Sequence, residues 1–225
     1  MGPFSPHLEI LPAPQLRLWH KLRPIKDLGF VLYGGTAIAL RLGHRASIDF
    51  DFFTERALDH TSLEESLPFL RTAQVLQESP DTLTVLASSD ASNERAVKVS
   101  FFGSITFGRV GEPQWTDDGI VQVASLEDLL ATKVKVLLQR VEAKDYLDVA
   151  ALLGNGVSLA RGLAAARSLF GLAFQPSECL KALVYFEGGD LNSLTGSTRH
   201  LLIHAASAVG DLPGVPVVDK QLTVG

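Results

Sequence analysis

Between residues 47 and 53 the chain reads Ser-Ile-Asp-Phe-Asp-Phe-Phe. Polar and apolar side chains alternate there with period two, and a β-strand puts alternate residues on opposite faces. One face is then greasy, and the other carries Asp49 and Asp51 together. The residues just before add to the constraint. Phe30-Val31-Leu32-Tyr33 is a short apolar run bounded by glycines and predicts a buried strand. Gly34-Gly35-Thr36 predicts a tight turn, and Ala37 to Gly43 a short helix that Gly43 closes. The order is strand, glycine turn, helix, acid-bearing strand.

Two carboxylates on one strand face repel, and each is destabilised unless something offsets the charge. A divalent cation does so, and magnesium favours carboxylate oxygens shared with substrate phosphates. Glycines after a strand let the backbone approach a phosphate closely, and the amides of the next helix then point at the anion. Gly34, Gly35 and Thr36 are therefore candidate phosphate contacts, with Thr36 adding a hydroxyl. Taken alone, an Asp-x-Asp strand is usually a solvated edge and a Gly-Gly pair usually just a turn. The two in this order favour function. Arg41, His44 and Arg45 lie between them, placed either to face a triphosphate or to balance the aspartates as surface charge.

Four prolines, Pro3, Pro6, Pro12 and Pro14, predict an irregular N-terminal arm, followed by a helix over Gln15 to Lys26 that Gly29 ends. A helix is expected from Leu58 to Leu70, capped by Thr61 or Ser62. Strands are expected at Leu83 to Ala87, Ala96 to Phe102 and Ile120 to Val123, with the polar stretch from Ser88 to Arg95 as a hairpin loop. Ser125 followed by Asp128 is a capping-box signature. From Leu126 the chain is helical in character to about His204, so a boundary is expected near residue 124.

In that helical half, Lys133, Arg140, Lys144 and Asp148 fall on one stripe of an ideal helix. The stripe offers cations to a polyphosphate, or else it is a solvated face with i,i+4 ion pairs such as Lys144 to Asp148. The net charge of −5 and the pI near 5.7 exclude a global basic field for nucleic acid, though not a local patch. The single cysteine, Cys179, excludes an intrachain disulfide and reads as a small buried hydrophobe. No signal peptide or apolar run of bilayer-spanning length is seen, so a cytoplasmic protein that does not engage membranes is expected.

The stretch from Gly34 through Arg41, Arg45 and Asp49 to Phe53 resembles the first motif of the AbiEii/AbiGii toxin family, nucleotidyltransferase-like proteins of the DNA polymerase β superfamily. Lys133, a following basic residue and Asp145-x-x-Asp148 resemble its second motif, so the likeness reaches from about residue 28 to residue 153. The resemblance implies an α+β fold. A polymerase-β-like core over residues 1–124, a mixed β-sheet with flanking helices, would precede a helical domain over residues 125–225 that completes the active-site cleft. It implies a transferase moving a nucleoside monophosphate from ATP, GTP or CTP to an acceptor hydroxyl, on tRNA or other RNA or on protein. Asp49 and Asp51 would hold Mg2+ or Mn2+. Lys133, Asp145 and Asp148 would join them as catalytic residues, and Arg41, Arg45 and Arg140 would join the glycine turn in binding nucleotide. A cognate antitoxin is the implied partner. The chain departs from the superfamily at Ser100, where a third carboxylate is expected. That departure keeps open a binding protein without turnover. A small-molecule nucleotidyltransferase is the other alternative.

Overall fold

The computed structural model describes residues 2–88 and 96–224. Most of the stretch from Ser88 to Arg95, expected as a hairpin loop, lies outside the described residues.

The alternating run forms strand β2, Asp49–Phe53, with Phe50 and Phe52 buried and Asp49, Asp51 and Phe53 half-buried. The other strands are β1 (Val31–Tyr33), β3 (Gln74–Ser79), β4 (Thr82–Ala87), β5 (Val97–Phe102), β6 (Gln114–Trp115) and β7 (Gln122–Val123). Together they make a seven-stranded sheet of order β3-β4-β5-β2-β1-β7-β6 among the described residues. β2 pairs parallel with β5 and β1 with β7, and the remaining pairs are antiparallel, so the sheet is mixed. Phe50 and Phe52 pack against Trp19, Phe30 and Phe101 on the greasy side. Burying aromatic rings of this size is a principal apolar contribution to such a core.

The helices of this half are α1 (Ala13–Trp19), α2 (Gly34–Leu42) and α3 (His60–Ser66). The helix expected over Gln15 to Lys26 is in fact α1 followed by a 3-10 segment, His20–Lys26, with Pro24 inside it. Proline lacks the amide an α-helix needs there. The expected Gly34-Gly35-Thr36 turn is instead the first turn of α2, which ends at Gly43 in the left-handed region at φ 63°. α3 is capped by Asp59, whose carboxylate accepts from the Ser62 amide, rather than by Thr61 or Ser62. It stops at Ser66, two residues before Pro68.

The second half holds α4 (Leu126–Val136), α5 (Ala143–Gly154), α6 (Leu159–Phe170), α7 (Pro176–Val184) and α8 (Gly196–Ser207). Two compact units result. The first comprises residues 1–108, 112–124 and 219–225, and the second residues 109–111 and 125–218. The C-terminal return to the first unit is fastened by Gln122, which exchanges hydrogen bonds with Val224, and by Glu55, which accepts from the Leu222 amide. In the second unit Ser125 caps α4 as its spacing predicts. The acid at Asp128 does more than close a capping box, because its buried carboxylate accepts from the Val110 and Gly111 amides and from Ser125 Oγ. Burial pushes that carboxyl up, against those bonds. Cys179 is buried as expected, with its thiol on the Val134 carbonyl and its pKa pushed up to about 12 by burial. No single helix among the described residues is long and apolar enough to cross a membrane.

Candidate active site

The acid face of β2 is built by register. Tyr33 stands opposite Asp51 on one side, and Ser100 stands opposite it on the other. Lys98 stands opposite Asp49 in the same way. Residues paired across a ladder share a face, so Asp49, Asp51, Lys98 and Ser100 project together. Lys98 Nζ lies 3.6 Å from the Asp49 carboxylate. Ser100, at the place expected for a third carboxylate, is buried.

The start of α2 is brought against this face. Gly34 has φ 77°, and a β-carbon there would stand 2.6 Å from Asp51 Oδ2. Only glycine takes that backbone conformation at little cost while leaving room for the acid. Tyr33, at the N-cap, supplies no side-chain cap to the first turn. The positive end of the α2 dipole therefore opens beside the Asp51 carboxylate, where an anion is favoured.

Two residues expected to touch phosphate are engaged elsewhere. The Thr36 hydroxyl is buried, 2.8 Å from Ser47 Oγ, and hydrogen-bonds the Asp49 carbonyl. It ties α2 to the start of the acid strand. Arg41 donates to the carbonyls of Ala124 and Val123 and to Gln114 Oε1, and lies 4.4 Å from the centre of the Phe4 ring. Burial lowers its pKa to about 10. With its guanidinium fork committed to backbone and amide oxygens, Arg41 clamps α2 to β6 and β7. Arg45 is half-buried and donates to the adjacent Ala46 carbonyl.

Gln15 is a supporting residue that sequence reasoning missed. Its buried amide donates to the Asp49 carbonyl at 3.4 Å. No periodic signal links positions 34 residues apart.

In the second unit the expected single stripe does not exist. α4 ends at Val136 and α5 begins at Ala143, so Lys133 and Asp148 sit on different helices. The helices nonetheless bring three of the named residues together. Lys133 Nζ lies 2.6 Å from Asp145 Oδ1 and 2.7 Å from Asp148 Oδ2, all three side chains being buried. Arg140 grips Asp145 from the connection, Nε to Oδ2 at 2.7 Å and NH2 to Oδ1 at 3.0 Å. Burial alone would raise the Asp145 pKa, but the Arg140 hydrogen bond and the Lys133 charge outweigh it and hold the carboxyl below its ordinary value. Lys144 pairs with Glu142 at 2.7 Å instead of with Asp148.

Among the described residues no group of three or more His, Cys, Asp or Glu is gathered to cage a metal. Asp49 and Asp51 do suit a cation that takes only part of its shell from protein. They are two oxygen donors on one half-open face, beside a helix start that favours phosphate. That is how Mg2+ is usually held.

A mixed sheet carrying paired acids beside a glycine-led helix places the protein in the nucleotidyltransferase-like fold class. A solved structure of an antigenic nucleotidyltransferase-like protein from Paracoccidioides brasiliensis has this fold, with a TM-score of 0.55 at 17% identity, over 92% of this chain and 96% of that one. The family profile described as "Nucleotidyl transferase AbiEii toxin, Type IV TA system" matches residues 18–186. The chain belongs to that family. It is also 34% identical over 122 residues to an uncharacterized protein of Aquifex aeolicus (strain VF5), a match covering 53% of this chain and 55% of that protein. The match thus spans about half the length of that curated relative.

Proposed function

We propose that the chain transfers a nucleoside monophosphate from a nucleoside triphosphate to an acceptor hydroxyl, as the toxin component of a toxin–antitoxin pair. The observation that carries this reading is the contact between Gly34 and Asp51, which sets a phosphate-favouring helix start against two acids on one strand face. The family match supports it.

In the reaction, the acceptor oxygen bonds to the α-phosphorus and the bond to the bridging oxygen breaks. Pyrophosphate leaves, and the hydroxyl proton passes to water. Gly34 and Gly35 seat the polyphosphate by backbone approach. Thr36, Ser47 and Gln15 fix the segment that carries Asp49, and preorganisation of this kind is what keeps a charged site effective. Asp49 and Asp51 would hold Mg2+ or Mn2+, which supplies charge neutralisation for the triphosphate. Arg45 stays assigned to phosphate on the first unit. In the second unit, Lys133, Asp145 and Asp148 form a buried ionic core that positions Arg140. Arg140, whose side chain is 44% exposed, stays assigned to nucleotide binding. RNA, including tRNA, is the acceptor class we favour, and the cytoplasm the place of action.

Ser100 beside Asp51 favours one second reading, nucleotide binding without turnover. One assay separates the two. The protein is incubated with magnesium, an RNA fraction and a protein fraction, using triphosphates labelled at either the α- or the γ-phosphate. The transfer reading expects α-label on one acceptor fraction and γ-label in pyrophosphate. Label on neither fraction with any of the four nucleotides, despite tight nucleotide binding, would support the second reading instead.

A further inference from the structure

The strand beside the acid pair carries a cation, Lys98, two residues before Ser100, the position at which the superfamily resemblance implies another acid. Lys98 stands directly across the ladder from Asp49, its ammonium 3.6 Å from the carboxylate. Ser100 stands across from Asp51 on the same face. Both members of the ion pair are open to water, the Lys98 side chain 41% and the Asp49 side chain 31% exposed. An ion pair this exposed adds little to stability, so holding the fold together does not account for it. It is also easily exchanged. The Asp49 oxygen that faces an ammonium cannot give the same lone pairs to a divalent cation, and the two positive charges repel at that distance.

We propose that Lys98 is the resident counter-ion of the acid pair. An arriving divalent cation displaces it from Asp49, and the released ammonium then binds the non-bridging oxygens of the triphosphate. Cation loading and nucleotide capture are thereby coupled through one side chain. This rests on the metal-assisted reading above, and it deepens that reading by giving β5 a cationic role in place of an acidic one. Each exchange is a change of ion pairing, with no covalent bond made or broken.

The proposal has two signatures of opposite sign. Removing the ammonium while keeping the bulk, in Lys98→Met, relieves the competition and tightens the bare cation about tenfold, from the loss of one like charge near a divalent ion. The same change weakens the magnesium complex of a non-hydrolysable triphosphate several-fold, because the charge-assisted contact that is lost outweighs the competition that is relieved. Lys98→Arg, which keeps the charge, leaves both affinities within a few-fold of the unmodified chain. A purely structural lysine would move neither affinity in this pattern.

The test is a Mn2+ titration followed by electron paramagnetic resonance on the full chain and on Lys98→Met, Lys98→Arg and Asp49→Asn. Calorimetric titration with the magnesium–nucleotide complex follows, and thermal unfolding verifies the fold of each variant. The expected result is Mn2+ binding that Asp49→Asn abolishes and Lys98→Met tightens, with weaker nucleotide binding in Lys98→Met. Mn2+ binding that depends on Asp49 but is unchanged or weakened in Lys98→Met would overturn the Lys98 proposal alone. Absence of Mn2+ binding in both the unmodified chain and Lys98→Met would overturn it together with the metal-assisted reading.

Discussion

Asp51→Asn loses nucleotidyl transfer by on the order of a thousandfold while the chain stays folded. The two halves of this expectation have one origin. Asp51 projects from the same face of β2 as Asp49, half-exposed, against the α-carbon of Gly34. The neutral isostere relieves the repulsion between neighbouring like charges and gives up the favourable charge at the α2 start, two effects of opposite sign that leave the fold in place. Asparagine keeps the shape that Gly34 accommodates, yet it removes the charge that a cation and a polyphosphate require. Rates of label transfer, read beside thermal unfolding curves, measure both quantities. A variant that is inactive because it is unfolded would show itself in the second curve. An active, folded Asp51→Asn would remove the acid pair from the chemistry.

Lys133→Met has the opposite profile, with its main cost in stability. The ammonium is buried between Asp145 and Asp148, both fully buried. Removing it takes away the counter-ion that the two carboxylates share and leaves Arg140 on Asp145, and breaking a buried pair in this way costs about 3–5 kcal/mol. The deficit depends on pH in a defined direction. In the unmodified chain Asp145 has a depressed pKa, so its contribution is present above the ordinary carboxylate value and is lost as pH falls through the depressed one. In Lys133→Met the Asp145 carboxyl loses one of the charges that depress it, and protonation in the folded state relieves the strain. The stability gap between the two chains therefore narrows as pH falls from the carboxyl value of the folded variant, through the ordinary carboxylate range near pH 4, to the depressed value of the unmodified chain. Adding Asp148→Asn to Lys133→Met recovers part of the loss at neutral pH, because one of the two buried charges that Lys133 balanced is gone. Chemical denaturation of the three variants at two pH values decides the matter. A neutral-pH loss below about 1 kcal/mol, typical of exposed pairs, would contradict the buried ionic core.

The acid pair was legible in the sequence because its signal is local. Period-two alternation puts Asp49 and Asp51 on one face whatever the rest of the chain does, and the structure keeps that face. Features made by distant residues were not legible. Thr36 looked like a phosphate ligand until Ser47 and the Asp49 carbonyl claimed its hydroxyl, and Arg41 looked like a cation for substrate until Gln114, Val123 and Ala124 took its fork. The continuous helix through Lys133 and Asp148 failed for the same reason. No glycine or proline marks the break between Val136 and Ala143. The new helix start is instead capped by Asp190, whose carboxylate accepts from the Ala143 amide at 2.6 Å. A cap from 47 residues downstream leaves no trace in the local pattern. Strand β3 escaped notice because every residue in it is exposed and a bulge between Val75 and Gln77 interrupts its alternation.

Equilibrium binding of an α,β-methylene nucleoside triphosphate is the most direct measurement, since it needs no acceptor. The account predicts binding that requires Mg2+ or Mn2+, disappears with a chelator and is lost in Asp49→Asn. Equal affinity with and without the cation, or in the folded Asp49→Asn variant, would contradict it.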